Sequence, residues 1–291
     1  MKDFLEKHIL KIFIAPILIF IVVMVAFPLV YMLYLSFTQW SMGVTPPEWI
    51  GFGNYVSLLK DEYFLNALWR TILIAFSSVA IEIVLGVALA LFLNREFVGK
   101  NISKTFFLLP MVATPIAVGM VWLLIYEPTI GVANFLLKKI GLKPVMWLVS
   151  AKNVLPSLII IEVWEWTPMI MLIILAGLAG LPRDPFESAM VDGANRFQML
   201  TKITLPLLRP TIIVAALLRM IDALKTFDII YSTTQGGPLR TSETLNIYAY
   251  TETFSYFHMG RGSASIMLFL IVIGICSALM IVIRKHSAVE Y

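Results

Sequence analysis

Long apolar runs separated by short polar connections make up most of the chain. A hydrocarbon core of about 30 Å takes about 20 predominantly apolar helical residues to cross. Six stretches are long enough: Ile12 to Leu35, Thr71 to Leu93, Thr105 to Tyr126, Val154 to Leu178, Pro210 to Ser232 and Gly262 to Ile283. The first, third and sixth contain no Asp, Glu, Lys or Arg, and the second contains only Glu82. Glu162 and Glu165 fall in the fourth, and Arg219, Asp222, Lys225 and Asp228 in the fifth, so these charges must face protein or water if their helices span. The pattern predicts an all-α integral membrane protein with six transmembrane helices. The first run is too long for a signal-peptide core and no small-residue cleavage pattern follows it, which predicts a retained helix.

Composition sharpens the picture. At 59% hydrophobic and 14% charged residues, the chain lies far from the roughly 25% charge typical of soluble proteins, which excludes a soluble enzyme. A net charge of +4 is too small to point to nucleic acid, and the implied surroundings are membrane lipid. The placement of the basic residues says more. Twelve Lys and Arg fall in the N-terminal segment (Lys2, Lys7, Lys11), the second and fourth connections and the tail, against eight in the other connections. Cytoplasmic loops carry the excess, so both termini are expected in the cytoplasm. The third connection, with Lys138, Lys139, Lys143 and Lys152, departs from that rule, and its stretch Gly131 to Leu148 reads as an amphipathic helix on the outer interface. Cys276 lies in an apolar run and has a packing role. There is no phosphate-binding loop, no zinc-protease His pair and no nucleophile elbow, so no catalytic residue, metal or cofactor is expected on this chain.

The connection from Pro182 to Arg209 is the most informative polar segment. Asp184, Pro185 and Glu187 have the spacing of an N-cap, a first-turn proline and a capping-box acid. Gly193 can take the positive φ that ends a helix, and Asn195 with Gln198 repeats the cap-and-box spacing for a second helix, which Pro206 is expected to stop. Phe186, Met190, Phe197 and Leu200 give the pair an apolar side. Such a unit suits a lever pushed by another protein, and equally a loop that only closes a connection.

Glu187-Ser188-Ala189, Asp192-Gly193-Ala194 and Ile203-Thr204-Leu205-Pro206 together resemble the EAA loop of binding-protein-dependent ABC importer permeases, with Ser188 in place of the usual alanine. Trp49-Ile50-Gly51-Phe52-Gly53-Asn54-Tyr55 resembles a signature of the carbohydrate-type permeases. Phe227-Asp228, Thr234-Gln235-Gly236-Gly237-Pro238, Thr241 and Tyr248-Ala249-Tyr250 resemble the maltose F-like or glycerol-3-phosphate A-like member of their permease pairs. The resemblance implies a type I ABC importer (MetI-like) permease fold: an N-terminal helix and outer loop over 1–66, a five-helix core over 67–285 and a tail over 286–291. It implies a sugar or polyol permease of the cytoplasmic membrane that forms a heterodimer with a second homologous permease. Two copies of a cytoplasmic ATPase would carry the ATP and Mg, and an extracytoplasmic binding protein would deliver solute. Glu187, Ser188, Ala189, Asp192, Gly193, Ala194, Ile203, Leu205 and Pro206 would form the ATPase-coupling element.

The charges within the spans admit two readings. At about 1.5 Å per residue, Glu82, Glu165 and Arg219 all come near mid-membrane. Arg219, Asp222, Lys225 and Asp228 alternate in sign at spacings of three and are expected to pair along one helix. In the first reading Trp164, Glu165, Trp166, Asp222, Lys225 and Asp228 line a polar solute pathway, the carboxylates binding hydroxyls and the indoles offering apolar faces. In the second they are structural ion pairs, and Glu82 fits this role better. A kink is expected at Pro168. An ion-coupled secondary transporter would also explain buried charges, but would have no reason for a capped loop of this kind.

Overall fold

The computed structural model describes residues 13–44 and 46–286. Ile12, the lysines at 2, 7 and 11, and the tail beyond 286 lie outside the described residues. The chain divides into two compact units, one built from the segment up to Leu65 with Tyr248–Ile271, the other from Asn66–Ile247 with the segment from Val272.

In the first unit a helix over Phe13–Ser36 contains a single π turn at Val22–Ala26, two residues ahead of Pro28. The same arrangement recurs in the second unit, where a π turn at Leu200–Thr204 precedes Pro206. A proline removes one N–H and drives its ring toward the carbonyl four residues back, which in both places lies inside the π turn. The wider turn accommodates the ring and the helix runs on. Pro206 therefore does not stop the second loop helix as its sequence suggests: Arg196–Met199 passes through the π turn into Leu205–Leu224.

After the first helix, Thr38–Gln39 pairs antiparallel with Glu48–Trp49, and a short helix follows at Gly53–Leu58. Asn54 holds this corner together. Its Nδ2 donates to the carbonyls of Ser36 at 2.9 Å and Thr38 at 2.8 Å, satisfying two buried acceptors with one amide. Phe37 packs against Trp49, Phe52 and Tyr55 with ring centroids 5.2–5.4 Å apart. Arg261 pairs with Asp61, whose carboxylate also accepts from the Tyr248 hydroxyl at 2.8 Å. Burial opposes ionisation of Asp61, but the Tyr248 hydroxyl, the Tyr63 N–H and the Arg261 charge outweigh it and hold the carboxyl below its ordinary range.

Among the described residues, four helices are long and apolar enough to cross a membrane: Phe13–Ser36, Glu62–Leu93, Val154–Ala179 and Met259–Lys285. A fifth crossing is possible if Lys100–Val112 and Pro115–Ile125 count as one span; they meet at an angle of 99°. The expected straight span from Thr105 to Tyr126 is thus broken. The break falls at Ala113 and Thr114, both extended, immediately before Pro115, which disfavours helix in the residue it follows. The expected span from Pro210 to Ser232 is also interrupted: its helix ends at Leu224 and a new one begins at Asp228. Asn246 Nδ2 donates at 2.7 Å to the carbonyl of Lys225, freed by that ending. Pro168, where a kink is expected, lies inside the continuous helix Val154–Ala179.

Among the described residues, two apolar clusters lie in the second unit. Ile74, Val118, Leu158, Ile161, Ile229 and Ile247 belong to one. Ala90, Leu93, Ile170, Met171, Ile174 and Leu208 belong to the other. Close helix approach is set by glycine: a Cβ on Gly86 would come within 2.6 Å of Ile170 Cγ2. Along the chain, Glu82, Glu162 and Glu165 each fall between residues of the first cluster and residues of the second.

Candidate functional site

Three helices contribute to the charged layer: Glu62–Leu93 brings Glu82, Val154–Ala179 brings Glu162, and Leu205–Leu224 brings Arg219. All three side chains are at most 2% exposed. Arg219 Nη2 donates to Glu82 Oε1 at 3.1 Å and pairs closely with Glu162, while its Nε lies 2.8 Å from Glu82 Oε2 off the line of a hydrogen bond. Thr226 Oγ1 donates to Glu162 Oε1 at 2.9 Å, and the guanidinium sits 5.1 Å from the centre of the Trp166 ring. A buried arginine is the right residue here, since its planar fork serves two carboxylates and still stacks on an indole.

This arrangement corrects the expected pairing along one helix. Arg219 reaches across to Glu82 and Glu162 and leaves Asp222 to Lys225, whose Nζ lies 3.2 Å from Asp222 Oδ1. Lys225 follows the end of one helix and Asp228 opens the next, so the four residues do not share a helix. Glu162 is the member of the layer that spacing arguments passed over. A usable signal was its position four residues before Trp166, on the same helix face.

A cavity of about 360 Å³ adjoins the layer, lined in part by Trp166, Arg219, Asp222, Lys225, Phe227 and Asp228. Both helix breaks open onto it, one through Pro115 and the other through residues 225 to 228. Of the expected pathway residues it gathers Trp166, Asp222, Lys225 and Asp228. Trp164 points elsewhere: it packs edge-on against Trp122 at 5.7 Å and lines a separate apolar groove with Phe106, Phe107 and Ile160. Glu165 is 1% exposed, and its Oε2 has no hydrogen-bond partner.

The polar connection does form two short helices. Glu187, Ser188 and Ala189 lie on Asp184–Val191. That helix starts one residue earlier than expected, with Arg183 at the N-cap position and no capping side-chain bond; Pro185 and Glu187 sit in its first turn. Gly193, at φ +76°, closes it: the Ala194 N–H donates to the Ala189 carbonyl at 2.9 Å and the Gly193 N–H to that of Met190 at 3.1 Å. Asn195 and Gln198 form the expected reciprocal capping box at 2.8 and 2.9 Å. Ile203 lies in the π turn, and Leu205 with Pro206 opens the long helix. Met190, Val191 and Phe197 are 58%, 88% and 73% exposed, an apolar surface on an otherwise polar loop. Behind it a groove of about 750 Å³ runs between Phe186, Glu187 and Arg196 and the ends of the helices at Phe92 and Leu178.

Membrane-crossing helices, a buried charge layer beside a cavity between broken helices, and an exposed helical loop describe a multi-pass helical membrane protein. The chain belongs to the family of binding-protein-dependent transport system inner membrane components, whose model matches residues 82–287. Probable ABC transporter permease protein y4oQ of Sinorhizobium fredii is 41% identical over 87% of this chain and 82% of its own length. Trehalose/maltose transport system permease protein MalF of Thermococcus litoralis is 34% identical over 89% of this chain and 88% of its own. Among solved structures, a bacterial ABC transporter involved in the import of the acidic polysaccharide alginate has a chain matching at a TM-score of 0.86 and 25% identity, covering 98% of both chains. The fold is accordingly that of a helical ABC transporter permease.

Proposed function

We propose that this chain is one permease of a paired set in an ATP-driven importer of a sugar, polyol or related carbohydrate. The observation that carries the reading is the loop at 182–209, where Glu187 stands exposed beside Met190, Val191 and Phe197 on two short helices that meet at the Gly193 turn. That surface suits docking into a cleft of a cytoplasmic ATPase, present in two copies and holding ATP and Mg, whose closure the loop transmits to the spans. In this reading there are six spans, the third being the bent pair and the fifth Leu205–Leu224 with its continuation, and both termini are cytoplasmic. An extracytoplasmic binding protein delivers the solute. The carbohydrate class is supported by the transport described for similar proteins and by a cavity that sets Trp166 and Phe227 beside acids able to accept from hydroxyls.

The test is affinity purification of the tagged chain from its native membranes in mild detergent, with identification of what accompanies it. A phosphate-loop ATPase and a second permease are expected with the native chain, and the ATPase is expected to be lost from Glu187→Lys. Recovery of the chain alone, with uptake driven by an ion gradient in ATP-free vesicles, would instead make it a secondary carrier.

A further inference from the structure

The charges around the cavity do not balance. Each base on its wall is already engaged, Arg219 between Glu82 and Glu162, and Lys225 with Asp222. Asp228 also lines the cavity, is exposed in the first turn of its helix, and has no ion-pair partner among the described residues. Glu165, three residues beyond Glu162 on the same helix face, is 1% exposed with one carboxylate oxygen unpartnered. The unmatched charge on the wall is therefore an acid, Asp228, and no base there is left over.

Resting on the reading of this cavity as a solute pathway, we propose that it admits uncharged or cationic hydroxylated solutes and excludes anionic ones, and that Asp228 is the residue that sets the sign. An anionic sugar carrying a carboxylate, sulfonate or phosphate would give up its water for a wall that offers no free cation, a loss nothing there repays. A neutral polyol would donate hydroxyls to Asp228 and lie against the Trp166 ring, which the Arg219 guanidinium holds from one side at 5.1 Å. Low-dielectric walls concentrate the field of a single unmatched carboxylate inside such a cleft.

The experiment reads that field without needing to know the solute. In the purified importer complex carrying Cys276→Ser, a cysteine is introduced by Phe227→Cys on the wall, or by Val98→Cys at a fully exposed control position. Reaction rates are measured with two methanethiosulfonates of similar size, one bearing a trimethylammonium and one a sulfonate. The cationic-to-anionic rate ratio at position 227 is expected to exceed that at position 98 by about tenfold, to fall to the control value with Asp228→Asn, and to invert with Asp228→Lys. Thr226→Cys serves as the wall position if Phe227→Cys does not assemble. Equal ratios at the wall and control positions, or a ratio insensitive to Asp228→Asn, would overturn the charge assignment while leaving the pathway intact. No reaction at either wall position with either reagent, while position 98 reacts, would mean a dry cavity and would sink the pathway reading together with this one.

Discussion

Arg219 is buried between two carboxylates that it alone neutralises among the described residues. Two buried carboxylates depend on it, and breaking a buried ion pair by removing one partner costs about 3–5 kcal/mol because the other charge is stranded. Arg219→Met is therefore expected to lower the thermal midpoint of the detergent-solubilised protein sharply, followed by fluorescence-detected size exclusion after heating. Combining it with Glu82→Leu and Glu162→Leu is expected to restore most of the loss; an unchanged midpoint in the single variant would mean that the layer does not hold the helices together. Asp61 makes a smaller, pH-dependent contribution. Its carboxyl is held below the ordinary value of 3.8, so its stabilisation is present above that value and is lost as pH falls through the depressed one. Asp61→Asn is expected to unfold at a lower temperature near neutral pH and to lose less on acidification than the native chain. Parallel midpoint curves down to about pH 3 would refute the linkage.

Between helices, glycine decides how closely backbones approach. A Cβ on Gly86 would meet both Ile170 Cγ2 and Cβ inside 3 Å, whereas one on Gly274 would meet nothing within 4 Å. Gly86→Val is expected to destabilise by about 1–3 kcal/mol and Gly274→Val hardly at all, read as the difference between their thermal midpoints. Equal midpoints would show that the helix pair can separate without cost. The same scale explains what the chain's pattern could and could not disclose. Two of the three charge-free runs, those matching Phe13–Ser36 and Met259–Lys285, announced themselves as helices, and the Asn195–Gln198 spacing foretold a cap, because both signals are local. Pro206 misled because a proline's effect depends on the turn before it, and a π turn leaves no mark in residue spacing. The ending at Leu224 was equally hidden: the group that takes up the freed carbonyl of Lys225 is Asn246, far along the chain.

At the scale of the whole molecule, the pattern showed a membrane protein and the residues of an exposed loop, but not which charges meet. Arg219 finds Glu82 at a separation of 137 residues and Glu162 at 57, and no spacing rule spans such distances. The cavity was legible only in its parts, since Trp164 and Trp166 look alike in the sequence and face different surroundings in the fold. One element stands apart from this economy of contacts. The membrane-crossing window of Phe13–Ser36 has none of its residues buried inside the chain. Its free energy is that of partition into an apolar phase, settled residue by residue. In the isolated chain its side chains are free to drift among apolar types, and only a neighbour, lipid or protein, can make one identity better than another.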